Sequence, residues 1–296
     1  MNIQWYPGHM TKARRAMEED MKLIDLVMEL LDARAPMASR NPDIDRLAKG
    51  KARMVLLNKA DLADLAACAA WAQWFENQGI SVVRIDARNR GTLKAVQAKV
   101  EEACREKIER DRRRGILNRP IRTMVVGIPN VGKSTLINSL AGKACAKTGN
   151  RPGVTRGNQW IRLNKSLELL DTPGILWPRF DDQKTGLHLA FLGSINDEIL
   201  NKEELAAELI RFLEGAYPAA LTERYGIQQA EDPYACLEEI ARKRSCLVKG
   251  GAPDLARAAA LLLEDFRGGR LGAVTLEQPQ PAEESGGQKA GEKEEA

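Results

Sequence analysis

The chain has 296 residues, of which 44% are hydrophobic and 29% are charged. This length is typical of two domains, and the hydrophobic fraction can build a sizeable core. No apolar run approaches the roughly 20 residues of a membrane-spanning helix, and residues 1–7 contain no apolar signal core. Five cysteines without a C-x-x-C spacing argue against a disulfide framework. We therefore expect a soluble, cytoplasmic protein that does not enter membranes.

The formal net charge is +4, and its distribution along the chain is uneven. Residues 278–296 carry five glutamates and two lysines, so residues 1–277 hold about +7. The Glu, Gly, Gln and Pro content of this tail predicts disorder. Two basic clusters, at residues 105–122 and 242–249, are compatible with RNA phosphates, although such runs are also common on solvated helices. The charge therefore permits an anionic partner without identifying it.

Strands and helices alternate through the first 178 residues, which predicts a mostly parallel sheet with helices on both faces. Such sheets bind ligands at the carboxyl ends of their strands. The predicted strands cover residues 24–31, 52–57, 82–86, 121–126 and a hairpin at 160–163 and 167–170, and the predicted helices cover residues 11–21, 63–78, 92–114 and 134–140.

Residues 58–61 (NKAD) follow the second predicted strand. The aspartate of this motif can accept hydrogen bonds from the N1–H and the exocyclic amine of guanine, a pair of donors that adenine lacks. Taken alone, the motif also fits a strand followed by a helix cap. A second loop, residues 85–88 (IDAR), follows the next strand and is expected to contact the same base.

Residues 127–134 (GIPNVGKS) match the G-x-x-x-x-G-K-[ST] pattern between a predicted strand and a predicted helix. In this pattern backbone N–H groups surround the phosphates, and Lys133 reaches the β and γ oxygens. The hydroxyl of Ser134 is expected to bind Mg²⁺. The order of strand, loop and helix is the one that phosphate binding requires.

Residues 171–174 (DTPG) form a D-x-x-G turn after the strand at 167–170. Its aspartate can hold the Mg²⁺ shell, and the N–H of Gly174 can sense the γ-phosphate. Thr155 lies between this turn and the phosphate-binding loop and can supply a second Mg²⁺ hydroxyl in the GTP state. The residues before it also read as a simple Pro-Gly turn. Placed between the other two motifs, Thr155 is the expected first switch.

The base-reading motif precedes the phosphate-binding motif, which reverses the order in most GTPases. The first domain is therefore identified as a circularly permuted Ras-like GTPase domain. Residues 5–10 (WYPGHM), 32–36 (DARAP) and 152–155 (PGVT) make the chain resemble the YlqF or RbgA family, the ribosome biogenesis GTPase A group. This resemblance is carried by specific motifs to about residue 180 and more loosely to about residue 277.

The resemblance implies a molecular switch required for late assembly of the large ribosomal subunit. Such a protein binds GTP and GDP, docks on the precursor subunit and its rRNA in the GTP state, and is released on hydrolysis. No DNA partner is expected. A different reading is a GTP-regulated RNA-binding protein with a non-ribosomal RNA or protein partner. The motifs also permit an RNA-binding assembly protein that uses GTP only as a structural ligand, and an ATP-dependent enzyme.

The sequence pattern changes after Gly174. Helical stretches replace the alternation, so we predict a GTPase domain at residues 1–178, an all-helical domain at 179–277 and an acidic tail at 278–296. Because the D-x-x-G turn runs directly into the helical domain, that domain is expected to be the RNA- or ribosome-binding output device. The predicted helices are at residues 202–214, 233–243 and 253–266, with a strand-like run at 273–275.

Hydrolysis needs a group that orients the attacking water, and Ras-like GTPases use a glutamine directly after the D-x-x-G glycine. This chain has Ile175 there, and an aliphatic side chain cannot orient water, so hydrolysis by the isolated protein is expected to be slow. The resemblance implies His9 as a candidate replacement, with a structural or exposed histidine as the alternative. It also implies K⁺ near Asn130, unless that asparagine only shapes the loop. His188 has no metal-ligand companion and is expected to pack or lie at the surface.

The expected site divides into three sets of residues. The expected catalytic residues are His9, Lys133, Thr155 and Gly174. The expected Mg²⁺ ligands are Ser134, Thr155 and Asp171, the last through water. The expected GTP-binding residues are Asn58, Lys59, Asp61, Asp86, Ala87, Asn130, Val131, Gly132, Lys133, Ser134, Thr135 and Gly174.

Overall fold

The computed structural model describes residues 9–117, 119–146, 158–177, 180, 182–228 and 232–279. Six strands in these residues form one sheet. The strands are β1 (Leu26–Asp32), β2 (Ala52–Asn58), β3 (Ser81–Arg84), β4 (Ile121–Val126), β5 (Gln159–Arg162) and β6 (Leu167–Asp171).

The sheet has the order β3-β2-β1-β4-β6-β5. Every neighbouring pair is parallel except β5 and β6, which form the predicted antiparallel hairpin. All seven residues of β1 are buried, as expected for a central strand covered by helices on both faces. The prediction of a mostly parallel sheet is therefore confirmed. Because β1 lies between β2 and β4, its carboxyl end is flanked by the base-reading and phosphate-binding motifs.

The helices around the sheet agree with the predicted ones except at two places. The five-residue α2 is too short to show helical periodicity, and the single helix predicted at 92–114 is wrong because it divides at Cys104. The helices are α1 (His9–Asp20), α2 (Asp43–Leu47), α3 (Leu65–Glu76), α4 (Arg90–Ala103), α5 (Arg105–Arg113) and α6 (Lys133–Ala141).

The break between α4 and α5 is a kink rather than a loop. Cys104 is buried and has a ψ of 12°, outside helical values, yet its carbonyl still accepts a hydrogen bond from the N–H of Ile108. Beyond this break, Lys107 lies 3.5 Å from Asp25 and 2.8 Å from Asp111. Core packing and these ion pairs therefore redirect a segment that the local sequence would continue as one helix.

The described residues after Gly174 are mainly helical, as predicted, and five helices occur among them. The predicted helices at 202–214, 233–243 and 253–266 are present, whereas α7 and α9 were not predicted. The five helices are α7 (Gln183–Phe191), α8 (Lys202–Ala216), α9 (Ala219–Tyr225), α10 (Pro233–Lys243) and α11 (Leu255–Arg267). None of the helices in the described ranges is long and apolar enough to cross a membrane.

Side-chain caps define where several of these helices begin. Asn201 accepts hydrogen bonds from two amides of the first turn of α8, and Asp254 accepts one at the start of α11. Such caps contribute about 1 kcal/mol each. The apolar face of α11 buries Leu262 and Phe266 against the rest of the molecule, and the Phe266 ring meets Phe191 of α7 edge-on. The helices thus form a packed core that continues into that of the sheet.

The strand-like run at 273–275 does not join a sheet within the described residues. The N–H of Val274 donates to the carbonyl of Leu62, and the N–H of Leu276 donates to that of Arg34. The carboxylate of Glu277 accepts hydrogen bonds from the N–H groups of Met37 and Ala38. The run is extended because it lies against loops of the GTPase region, whose backbone groups satisfy its own.

Candidate nucleotide-binding site

Three sequence motifs meet at the carboxyl edge of the sheet. Strand β4 leads into the phosphate-binding loop at residues 127–132, β2 ends at the base-reading loop at 58–61, and β6 ends at the D-x-x-G turn at 171–174. The strands are parallel and adjacent to β1 or β4, so their ends lie on the same side of the sheet. Ligands bind at this edge in folds of this type.

Two glycines allow the phosphate-binding loop to pack closely. A Cβ added at Gly127 would lie 2.8 Å from the carbonyl oxygen of Leu30, which real Cβ atoms do not tolerate. Gly132 has a φ of +102° and meets the Nδ2 atom of Asn58 where a Cβ would stand. The loop therefore ends on a left-handed glycine directly before α6, and the first amides of that helix face the loop.

Asn58 joins the loops of the site to one another. Its Nδ2 atom donates to the carbonyl of Val131 at 2.7 Å, and its Oδ1 atom accepts from the N–H of Ala87 at 2.9 Å. Asn58 is buried, so both side-chain groups need partners and find them inside the protein. The structure therefore brings Asn58, Ala87 and Val131 together, and Asn58 holds the two loops against each other.

Lys59 has a positive φ of 57° and extends across the phosphate-binding loop. Its Nζ atom lies 3.1 Å from the carbonyl oxygen of Asn130 and 2.8 Å from the carboxylate of Asp32. Burial lowers the pKa of Lys59, and the nearby Asp32 opposes that effect. The lysine is thus held at both the loop and the end of β1.

The exposed Asp61 lies at the rim, where its carboxylate contacts Arg88 at 2.6 Å. Asp86 accepts hydrogen bonds from the backbone N–H and from Nε of Arg88, both at 2.9 Å. Burial acts to raise the pKa of Asp86, but the hydrogen bonds from Arg88 outweigh it and leave that pKa below its usual value. One arginine therefore bridges the two predicted base-contacting loops.

Lys133 and Asp171 lie close to each other in the phosphate region. Burial lowers the pKa of Lys133 to about 8, with Asp171 acting in the opposite direction. Burial likewise raises the pKa of Asp171, whose Oδ1 atom has no hydrogen-bond partner among the described residues. A buried lysine and a buried carboxylate oxygen of this kind fit phosphate and Mg²⁺, which GTP hydrolysis by P-loop enzymes uses. Ser134 and Thr135 lie in the first turn of α6 beside them.

The D-x-x-G turn packs directly on the phosphate-binding loop. The hydroxyl of Thr172 donates to the carbonyl of Val125 at 2.8 Å, and the N–H of Ile175 donates to that of Gly127 at 3.3 Å. A Cβ on Gly174 would approach the backbone of Pro129 to 2.9 Å. Ile175 is only 5% exposed, so its side chain belongs to the core rather than to the reaction.

Asn130 connects the phosphate-binding loop to the helical region. It has a φ of +60°, and its Nδ2 atom donates to the carbonyl of Gly193, just after α7, at 2.6 Å. Through this contact Asn130 has a structural role that does not require an ion. His188 is buried, and its Nδ1 atom lies 3.1 Å from Glu277, so it is a packing residue. Thr155 and the side chain of His9 lie outside the described residues.

Two charged residues at the end of β1 were named in the sequence only as part of a motif. Asp32 and Arg34 are each 1% exposed, and they form a bidentate pair with both distances at 2.9 Å. An arginine–carboxylate pair directly after a buried strand, between the two motif-bearing strands, was the available signal. The role of this pair could not be deduced from sequence, because the two carbonyl oxygens that Arg34 also contacts, those of Phe266 and Arg267, lie more than 230 residues away.

A phosphate-binding loop, a guanine-reading loop and a D-x-x-G turn on one edge of this sheet define a P-loop GTPase with a circularly permuted order of motifs. Comparison with known proteins agrees. A family model described as 50S ribosome-binding GTPase matches residues 122–224. Ribosome biogenesis GTPase A of Bacillus cereus is 48% identical over 281 residues, which cover 95% of each chain.

More distant relatives give the same result. Ribosome biogenesis GTPase A of Thermotoga maritima is 34% identical and covers 94% of this chain and 95% of the relative. The crystal structure of GNP-bound YlqF from T. maritima superposes with a TM-score of 0.64 at 30% identity, covering 91% of this chain and 99% of that one. The chain belongs to the ribosome biogenesis GTPase A family and is a GTP hydrolase.

Proposed function

We propose that this protein binds a precursor of the large ribosomal subunit in its GTP state and leaves after hydrolysis. Membership of a family named for ribosome biogenesis supports the partner, and the contact between the D-x-x-G turn and the phosphate-binding loop supports the switch. The turn continues through the buried Leu176 into the helical region. A change at the γ-phosphate is thereby passed to that region through both backbone and core. We place this activity in the cytoplasm.

The division of labour in the site follows from chemistry. Lys133 neutralises the β and γ oxygens, while Asp61 and the loop at 85–88 recognise guanine. Ser134, Thr155 and, through water, Asp171 would hold Mg²⁺, which would offset charge that develops on the phosphates. Gly174 reports the γ-phosphate through its N–H.

Completion of the hydrolytic site depends on groups other than Ile175. His9 is the proposed group of this chain that orients water, and the subunit supplies the rest, so hydrolysis is slow in the isolated protein. K⁺ beside Asn130 is the second proposed activator. Exchanging K⁺ for Na⁺ at constant ionic strength tests it: a rate that does not change between the two salts contradicts a K⁺ site.

The α10–α11 tip, residues 242–253, is the proposed contact to rRNA. Its hairpin is closed by a backbone bridge between Leu247 and Pro253, and it exposes the apolar Leu247 and Val248 beside Lys249. Arg242 and Lys243, the last two residues of α10, are the first residues of this tip. Exposed apolar groups among basic ones suit a partner that offers both bases and phosphates.

The test measures GTP hydrolysis by the purified protein with and without large ribosomal subunits, together with co-sedimentation in GDP and in a non-hydrolysable GTP analogue. We expect stimulated hydrolysis, analogue-dependent co-sedimentation and loss of the stimulated rate in His9→Ala. Lys243→Glu should weaken co-sedimentation, whereas Lys165→Glu, on the β5–β6 turn, should not. Absence of both stimulation and analogue-dependent binding would instead support the non-ribosomal partner.

A second candidate function uses GTP as a purely structural ligand, which Ile175 favours and the presence of Lys133, Ser134, Thr155 and Asp171 in the motifs opposes. It predicts that binding to RNA is equal in GDP and in the GTP analogue. Such equality in the wild-type protein would contradict a switch even if nucleotide affinity were high.

A further inference from the structure

A series of charged groups, of which Asp32 and Arg34 are buried, connects the base-reading loop to the helical region. At its centre, the carboxylate of Asp32 lies 2.8 Å from Nζ of Lys59 and 2.9 Å from both Nε and Nη2 of Arg34. The backbone N–H of Arg34 also donates to Asp32 at 3.1 Å. One carboxylate therefore holds two cations that arrive from different strands.

The other end of this series of charged groups lies at the carboxyl terminus of α11. Nη1 of Arg34 donates to the carbonyls of Phe266 at 3.1 Å and of Arg267 at 3.3 Å, and its guanidinium lies 5.1 Å from the centre of the Phe266 ring. The last carbonyls of a helix have no partner within the helix and carry partial negative charge, so a cation is favourable there. Arg34 thus caps the carboxyl terminus of α11, although it is distant from that helix in sequence.

Neither cation has freedom to leave this arrangement. Asp32 and Arg34 are almost completely buried, and Lys59 also donates to the carbonyl of Asn130 in the phosphate-binding loop. Removal of the central charge would leave the buried guanidinium of Arg34 without its carboxylate and close to the partly exposed ammonium of Lys59, which costs more than loss of a surface pair. Asp32 and the carbonyl of Asn130 therefore fix the position of the Lys59 ammonium.

We propose that Asp32 and Arg34 are positioning residues that hold Lys59 for guanine binding and make the seating of α11 depend on whether a guanine nucleotide is bound. The inference rests on the proposed base-reading role of residues 58–61. The base is common to GDP and GTP, so this connection reports occupancy of the site. It is separate from the D-x-x-G turn, which reports the γ-phosphate.

The first experiment compares Asp32→Asn with a matched control, Glu29→Gln. Glu29 lies on the same strand, is equally buried and pairs with Arg53 and Arg40, but contacts no nucleotide motif. We expect Asp32→Asn to weaken binding of GDP and of a GTP analogue by the same factor, about tenfold or more, since a buried charge partner is lost. KM for GTP should rise with kcat unchanged, whereas Glu29→Gln lowers thermal stability and leaves both affinities as they are.

Hydrogen exchange provides a second measurement, and its first part uses only the wild-type protein. In the wild-type protein, GDP and the GTP analogue should slow exchange at the last turn of α11 equally. In Arg34→Lys, which keeps a positive charge but cannot bridge Asp32 and two carbonyls, this protection should be lost. No nucleotide-dependent protection of α11, or an unchanged GDP affinity in folded Asp32→Asn, would overturn the proposal.

Failure of the inference can be told apart from failure of the proposed function. If Asp61→Asn leaves GDP affinity unchanged, residues 58–61 do not read the base and the proposed function itself is wrong at this point. If Asp61→Asn weakens GDP binding while Asp32→Asn does not, only the positioning role is overturned.

Discussion

The base-reading side and the phosphate side of the site differ in how their side chains are held. On the base-reading side Asn58 and Lys59 have protein partners for their polar groups, in the loops at 85–88 and 127–132 and at Asp32. On the phosphate side, Lys133 and Asp171 are buried, and burial shifts the pKa of each in the direction that favours its uncharged form. One side is therefore assembled by the protein, whereas the charged groups of the other gain most from a ligand.

This difference separates two kinds of information. A preassembled base-reading side binds any guanine nucleotide and thereby fixes where the phosphates enter. On the phosphate side, Lys133 and Asp171 are buried, and anionic oxygens and a cation would offset the cost of burying their charges. The D-x-x-G turn packs against this side, so under the proposed switch it lies where ligand binding changes the electrostatic energy most.

The largest expected effect is on the phosphate side. Lys133→Ala removes the charge that this loop directs at the phosphates, and we expect GDP affinity to fall by at least about 100-fold, or about 2.7 kcal/mol. Lys143→Ala, at an exposed position just after α6, is the matched control and should bind normally. Isothermal titration with GDP measures both. Tight GDP binding by a folded Lys133→Ala would contradict the difference between the two sides, because nucleotide binding on the phosphate side would then not depend on the charge of Lys133.

The next effect is on base selectivity. Asp61→Asn removes a carboxylate that accepts two donors of guanine, and the ratio of GTP to ATP affinity should fall by roughly 10- to 100-fold. Asp64→Asn is the control because asparagine can still cap α3, as Asp64 does with the N–H of Ala67. Competition between the two nucleotides measures the ratio. An unchanged ratio would remove Asp61 from the base-reading side.

The pH dependence should be smaller and separates binding from stability. Because the pKa of Lys133 is lowered to about 8, the free protein loses this proton as pH rises through that value. Nucleotide phosphates favour the charged lysine, so GDP affinity should fall about tenfold per pH unit above this pKa. Between about 8 and the pKa of 10.5 in an unfolded chain, this lysine makes the free protein more stable as pH rises.

These opposite signs form the test of the Lys133 titration. Affinity and thermal stability are measured at pH 7, 8, 9 and 10 in buffers of equal ionic strength, and binding at pH 9 should take up a proton. Lys133→Arg, where it binds, should give a flat profile because arginine stays charged. A wild-type GDP affinity that stays constant up to pH 10 would contradict a lowered pKa of Lys133.

The smallest expected effect concerns Arg88 on the base-reading side. It is 65% exposed and pairs with Asp61, the carboxylate that is proposed to read guanine. Such exposed pairs contribute about 0–1 kcal/mol, so Arg88→Ala should raise GDP affinity by no more than about fivefold. Arg90→Ala is a nearby control. A fall in affinity would mean that Arg88 contacts the nucleotide instead of competing with it.

The sequence predicted the parts of the fold that depend on local pattern. Alternating strands and helices indicated the mostly parallel sheet, and β4 was predicted with the bounds that it has. Sequence failed where local pattern and packing disagree, at Cys104 and at residues 273–275. The first bends a continuous helical pattern, and the second is extended only because loops around Leu62 and Arg34 accept its hydrogen bonds.

The candidate site divides in the same way. The motifs at 58–61, 127–134 and 171–174 were readable because each places its chemistry within a few residues of one strand end. Their order along the chain indicated the permutation. The resemblance to the YlqF or RbgA family agrees with the family that the comparison shows. Thr155 and the catalytic role of His9 stay predictions, as does the assignment of individual residues to Mg²⁺ and nucleotide.

The sequence by itself determined the motifs, the class of fold and the enzyme family, because these depend on backbone requirements and hydrophobic periodicity within short segments. Only the tertiary structure decided how the two regions are joined. Asn130 contacts Gly193, Arg34 contacts the end of α11, and Glu277 closes the loop at Met37. These contacts pair residues between 63 and 240 positions apart, and chain distance of this size is overcome only by the shared core that brings the segments together.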